Sequence, residues 1–373
     1  MAFATIPSGP AIDGQFDRGL FGKTVDNLTG TTSSKKDGKP SDKDEPSDKD
    51  VPSVLTTEFT TCGGVTITRA HVIWIFNLLC LFVHLIFFIV TALSLNGKDP
   101  KLFEWYIFRL QNDWPYNATL VDAETPLRID VLTWSFFLLS ALAHLFAVVV
   151  GPWDRFIHIY WRQLDLGFVW WRWVEYSLSA SVMVVGIALL VGVRERFTLM
   201  LLFVTMGSVQ ICGGLLTELY ALPSKNENGK VDLSRWDGDN GDDRLGKLKS
   251  YLKRMIPHFA TYPLYIACWA TLILTFHQAI EDLDAANNII LSVNASAEIL
   301  SIPPFVPPIV YGSAVLFSLF TLPQVVFMYI SPKHYWASEL CYCALSLISK
   351  TFLGGLLLSN VLLRPSLADA MES

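Results

Sequence analysis

Cysteine is scarce in this chain and arranged for neither cross-linking nor metal binding. Of six, Cys80, Cys212, Cys268, Cys341 and Cys343 fall inside apolar stretches and only Cys62 lies outside them. No disulfide framework or zinc spacing emerges, and a small buried hydrophobe is the simpler role for these thiols. A basic n-region followed by an apolar h-region is also missing at the start, so no cleaved signal peptide is expected. Charge is thin as well: 17% of residues are Asp, Glu, Lys or Arg, the formal net charge is −6, and 52% are hydrophobic. A soluble domain of this length is more polar, so the bilayer is the expected solvent. We expect no enzyme, no metal site and no nucleic-acid partner.

What is present divides sharply. Residues 1–68 are rich in Ser, Thr, Gly, Pro, Lys and Asp; their Ser33–Val51 run, with its Ser-Asp-Lys-Asp repeats, cannot bury a core and is expected to be disordered. Residues 69–365 form the expected membrane domain and 366–373 a short C-terminal tail. Apolar stretches run over 71–95, 129–150, 167–193, 197–222, 258–280, 305–330 and 336–363. About 20 residues cross a bilayer, and backbone groups in lipid must be satisfied within each segment, so all seven are expected to be helices. The expected fold class is an all-α membrane protein with seven transmembrane helices.

Lysine and arginine set the orientation. With the N-terminus cytoplasmic, nineteen fall in inside segments and seven in outside ones, and the loop 223–257 carries eight by itself. The sequons at Asn117 and Asn294 both then lie outside, where glycans can be added, whereas Asn27 would be a chance match. The N-terminus is therefore expected inside and the C-terminus outside. In the first outer loop, 102–109 and 117–121 flank the turn-like Asn112-Asp-Trp-Pro and read as a small β-hairpin. The inner loop is polar over Lys225–Asp243, then basic over Arg244–Arg254, a segment expected at the surface of anionic membrane lipid.

Charges at membrane depth are costly, which makes each a functional hypothesis. Arg172 and Glu175 stand in the third span and Lys350 in the seventh. Lys350 lies about 21 Å along its helix at 1.5 Å per residue, too deep for its ammonium to reach water. Such a lysine needs a carboxylate, and one use of a desolvated lysine is a Schiff base with an aldehyde. A lysine–acid pair that merely fixes helix packing is the competing reading, and position alone leaves both open. Glu175 approaches the same depth. Arg172, one turn earlier on its face, is expected to keep it ionised, and Ser179, one turn later, to donate a hydroxyl. Ser346 and Ser349 offer hydrogen bonds beside Lys350 without adding charge. His84 in the first span and His144 in the second, one turn after Ser140, are expected to border one polar cavity. Glu218, Glu339 and His277 read as interfacial.

The stretch Arg172-Trp-Val-Glu-Tyr-Ser-Leu-Ser-Ala-Ser resembles the third-helix signature of the heliorhodopsins, and Leu345-Ser-Leu-Ile-Ser-Lys350 resembles their retinal-binding seventh helix. The likeness covers about residues 70–365. It implies all-trans retinal as cofactor, a homodimer with the hairpin in its contacts, and none of the ion pumping of other microbial rhodopsins. It further implies Lys350 as the retinal lysine, Glu175 as the single counterion, Ser179 as its hydroxyl neighbour, and His84, His144 and Ser140 as cavity residues. Ser346 stands where ordinary microbial rhodopsins carry a second carboxylate. The inverted orientation is that family's mark, and it excludes a G-protein-coupled receptor or an ordinary microbial rhodopsin. The long tail and the enlarged loop 223–257 depart from the family pattern. Phe317, Phe320 and Met206 are expected from helical position to line the ring pocket.

A pump needs titratable groups on both sides of the lysine. Toward the outer side, the seventh span has no ionisable residue between Lys350 and Arg364, and the sixth has no acid or base over Phe305–Ile330. The expected function is therefore a photosensor whose cytoplasmic loop 223–257 meets a signalling partner; a light-gated proton or ion channel through the same retinal site is the competing expectation.

Overall fold

On the first span, Ile75, Leu79, Phe82, Ile86, Ile89 and Leu93 recur every three or four residues and are all exposed, while Ile73, Asn77, Cys80, His84 and Thr91 are buried on the opposite side. Apolar side chains outward and polar ones inward is the arrangement of a helix whose solvent is lipid. The computed structural model describes residues 58–62, 65–95, 98, 104–113, 117–122, 126–150, 160–161, 163–164, 166–222, 224–225, 231–232, 244–293, 301–330 and 334–363. Seven of its helices are long and apolar enough to cross a membrane: α1 Arg69–Ser94, α2 Ile129–Val150, α3 Trp170–Leu190, α4 Arg196–Ala221, α6 Ile256–Ser292, α7 Val306–Ile330 and α8 Tyr335–Leu362. Helix α5, Arg244–Arg254, is short and basic. The seven-helix expectation is borne out.

Helix α3 is central, with 72% of its apolar window buried against 22–44% in the others. It therefore offers most of its faces to other side chains, and a charge on it meets protein rather than lipid. Its limits are narrower than the expected 167–193 because Gly167 and Gly192 adopt positive φ (75° and 97°) and turn the chain before and after it. Helix α6 runs past the expected residue 280. Glu281, Asp282 and Asp284 are exposed on its extension, and the end of an apolar run does not oblige a helix to stop.

Strands β1 (Glu58–Cys62) and β2 (Val65–Thr68) pair antiparallel, so the last part of the expected tail forms a hairpin that runs straight into α1. Thr68 caps that helix, accepting from the His71 N–H while the His71 ring accepts from the Thr68 N–H. Residues 1–57, the sequons at Asn27 and Asn294, most of Lys225–Asp243 and the C-terminal tail lie outside the described residues. In the first connection β4 (Phe108–Asp113) pairs with β5 (Asn117–Asp122), from Phe108 opposite Asp122 to Asp113 opposite Asn117. The expected hairpin is thus present, with its first strand starting at 108 rather than 102. It sits beyond a second pair, β3 (Glu104–Trp105) with β6 (Leu127–Arg128). A last short pair, β7 (Ser224–Lys225) with β8 (Val231–Asp232), lies in the segment 223–257.

Glycines permit close helix approach, most tightly at Gly214 and Gly354. A Cβ added to Gly214, within a wide turn of α4 over Ile211–Leu216, would fall into the Trp173 ring of α3; one added to Gly354 of α8 would strike Phe137 of α2. Both rings are held on other sides by packed neighbours. Gly214→Ala and Gly354→Ala are each expected to cost about 1–3 kcal/mol through overpacking, seen as a lower melting temperature in detergent. Melting equal to the parent protein would show that the rings move aside freely.

Candidate functional site

Lys350 on α8 and Glu175 on α3 meet inside the bundle, Nζ to Oε1 2.8 Å, with exposures of only 3% and 8%. Helical geometry assembles the rest. Ser346, one turn before Lys350, accepts from Nζ at 3.0 Å. Ser140 of α2 donates to Glu175 Oε1 at 2.7 Å. Nζ also lies 5.2 Å from the centre of the Tyr176 ring. The carboxylate is thus held by an ammonium and a hydroxyl, both charge-favouring contacts in a site of low dielectric. Ser349 turns to the Ser346 carbonyl (3.3 Å), and Ser179 Oγ is buried without a hydrogen-bond partner. Contrary to expectation, Ser179 does not donate to Glu175; the hydroxyl that does comes from Ser140.

A cavity beside Lys350 is walled by Tyr176, Ser179, Ala180, Met183, Gln210, Phe317, Phe320 and Ser349. Phe320 stands where α7 is interrupted between Leu319 and Thr321. Pro323, having no N–H to give the Leu319 carbonyl, explains that break. Phe317 and Phe320 therefore face the cavity as expected. Met206 does not line it; it is fully buried one turn away, within 3.9 Å of Gln210 Nε2. Tyr176, Ala180, Met183 and Gln210 were not anticipated. An amide at Gln210 in an otherwise apolar span is a signal that could have marked it. The apolar walls, the enclosed amine and the unpartnered Ser179 hydroxyl fit the chemistry of an apolar aldehyde joined to Nζ.

His84 of α1 and His144 of α2 stack with ring centres 5.2 Å apart and planes within 8°. His144, one turn beyond Ser140, donates from Nδ1 to Asn77 Oδ1 at 2.9 Å. The two histidines do share one buried place on the α1–α2 side of the pair.

Arg172 departs most from expectation. Its guanidinium does not touch Glu175. It pairs instead with Glu218 of α4 (Nη2 to Oε1, 2.7 Å) and Glu339 of α8, and it also donates to the Tyr335 hydroxyl. Helical side chains lean toward the N-terminus, so a long residue preceding Glu175 reaches away from it. Glu218 and Glu339, expected at the interface, are buried. Glu218 also accepts from Tyr335 and from the Val169 N–H at 2.9 Å, while the guanidinium lies 4.2 Å from the Tyr342 ring. Two carboxylates around one arginine, each with further donors, make a buried ionic cluster in which the Arg172 Nε is left without a hydrogen-bond partner. A hydrogen-bonded series links it to the histidines: Asn77 Nδ2 donates to Tyr160 OH (3.1 Å), which donates to Glu339 Oε1 (3.1 Å). His277, by contrast, is not in this interior; its Nε2 meets Tyr311 OH at 3.1 Å.

Residues 73–232 match the family model described as heliorhodopsin. That span takes in His84, Ser140, His144, Arg172, Glu175, Ser179 and Met206, and ends before Ser346, Ser349 and Lys350. No curated protein matches the chain.

Proposed function

From the match of residues 73–232 to the heliorhodopsin family model, a family of retinal-binding, light-responsive membrane proteins, we propose that this chain is a heliorhodopsin-like light sensor. In this reading all-trans retinal is held on Lys350 as a protonated Schiff base, with Glu175 as counterion. The observation that carries it is the buried Lys350–Glu175 pair opening on an aromatic-walled cavity. When bound, retinal supplies absorption of visible light and a change of shape.

The chain's own residues do the rest. Phe317, Phe320, Tyr176 and Met183 confine the chromophore and exclude water. Glu175 keeps the nitrogen of Lys350 protonated, and Ser140 and Ser346 fix the geometry of that pair. A proton leaving Nζ has Glu175 Oε1 within 2.8 Å, and beyond Ser140 the next titratable groups are His144 and His84. With the N-terminus cytoplasmic and the C-terminus outside, the Arg172 cluster faces the loop 223–257, which we assign as the output surface for a signalling partner. Its basic helix α5 exposes Leu245, Leu248 and Leu252, a pattern suited to lying on lipid. A homodimer through the outer hairpin completes the reading.

One observation favours the channel as a second reading: the series His144–Asn77–Tyr160–Glu339 is half of a conducting path. Voltage clamp under illumination separates the two. A sensor yields no steady photocurrent, whereas a current that reverses with the proton gradient supports the channel. The retinal site itself is tested by Glu175→Gln. Losing a buried counterion disfavours the protonated nitrogen, so the visible band is expected to weaken in favour of a near-ultraviolet one. An identical absorption spectrum in both proteins would remove Glu175 from the counterion role.

A further inference from the structure

A second cavity, of about 300 Å³, opens at the other end of the bundle from the Arg172 cluster, between the C-terminal end of α3, α6 and the approach to α7. Its wall is apolar, with Phe276 and Leu283 from α6 and Ile302 and Phe305 from the segment entering α7. One cation faces it. Arg194 lies with its guanidinium 4.0 Å from the centre of the Trp105 ring, which also lines the cavity. Stacking on Trp105 orients the guanidinium without neutralising it.

The charge of Arg194 is not balanced among the described residues. Its Nη1 is buried with no hydrogen-bond partner. The adjacent Glu195 is turned to the start of α4, where it accepts from the N–H of Phe197 (2.9 Å) and from Thr198 Oγ1 (2.7 Å). Asp130, the buried acid of α2, is taken by Arg128 at 2.5 Å. Burial draws the Arg194 pKa down to about 10, which still leaves it cationic at neutral pH. A half-buried guanidinium with an unpartnered, buried Nη1 calls for an oxyanion, and a flanking apolar wall calls for a hydrocarbon. The volume sits at the small end of ligand sites, which span about 300–1,000 Å³, and so suits one chain rather than two.

We propose that this cavity is a binding site for a fatty-acid carboxylate, with the head group on Arg194 and the chain along the wall between α6 and α7. The site is independent of the retinal reading and can be tested on protein with or without chromophore. The experiment is equilibrium binding of radiolabelled laurate to the full chain in nanodiscs of neutral phosphatidylcholine. One saturable site per chain is expected, weakened at least tenfold in Arg194→Gln and largely kept in Arg194→Lys. Ala279→Trp, which fills the cavity and leaves Arg194 in place, should abolish it, and it decides the matter if the Arg194 variants fail to fold. Unlabelled dodecanol, which has the chain without the charge, should compete at least tenfold less well than laurate. Equal competition by dodecanol, unchanged binding in Arg194→Gln or in Ala279→Trp, or displacement of laurate by anionic phospholipid at equal concentration would each overturn the proposal.

Discussion

Replacing Lys350 by alanine is expected to erase the visible absorption band of protein expressed with all-trans retinal. Lys350 is the lysine enclosed in the seven spans, and its Nζ is the primary amine that faces the aromatic cavity. Every other lysine lies in a connection or a tail, where water competes for the nitrogen. The substitution also strips Glu175 of its partner and leaves a buried carboxylate, a change that is destabilising in itself. Lys350→Ala combined with Glu175→Gln removes that complication, because Ser140 and the neutral amide still satisfy one another. The double variant should fold, melt near the parent protein and remain colourless. A band surviving in it would place the chromophore elsewhere. If the folded parent itself shows no band, the pair is structural and the photosensor reading fails.

The second large effect is expected at Arg172. Removing one partner of a buried ionic cluster costs about 3–5 kcal/mol, since the remaining charges are left in low dielectric. Arg172→Met leaves two such charges, Glu218 and Glu339, on two different helices. A steep fall in thermal stability in detergent should follow. Neutralising both acids in the same chain, with Glu218→Gln and Glu339→Gln, is expected to restore most of it. The retinal band is expected to move little, because the guanidinium does not touch Glu175. If Arg172→Met shifts the band as much as Glu175→Gln does, the coupling between cluster and chromophore is direct, and the separation described above is wrong. If the triple variant is no more stable than the single one, the arginine contributes packing on Tyr342 and Trp173 rather than charge balance.

The two sites differ in how visible they were before the fold was known. Lys350 and Glu175 are conspicuous because a charge in an apolar run has no local excuse, and depth along two helices is enough to bring them level. Arg172 shows the limit of that reasoning. Its spacing of three from Glu175 suggested a shared face, yet the direction of the side chain along the helix carried it to acids that had read as interfacial. The Ser140–Glu175 contact was likewise hidden: Ser179 had the right spacing on α3, but the nearer hydroxyl belongs to α2. Met206 was misplaced by one turn, a rotation of the helix about its axis that hydropathy does not encode when most faces are apolar.

The amino-acid sequence alone determined the number of spans, their approximate limits, the hairpin between the first two spans and the depth of Lys350. These follow from transfer of side chains and backbone groups into hydrocarbon, a property each segment must meet by itself. Only the tertiary structure decided which charges meet, which hydroxyl holds Glu175, that His84 and His144 stack, and that Gly214 yields its place to Trp173. Arg172 and Glu339 stand 167 positions apart, and nothing local relates them. Their contact depends on the rotation of each helix and on dense interhelical packing, which is settled by the whole bundle at once.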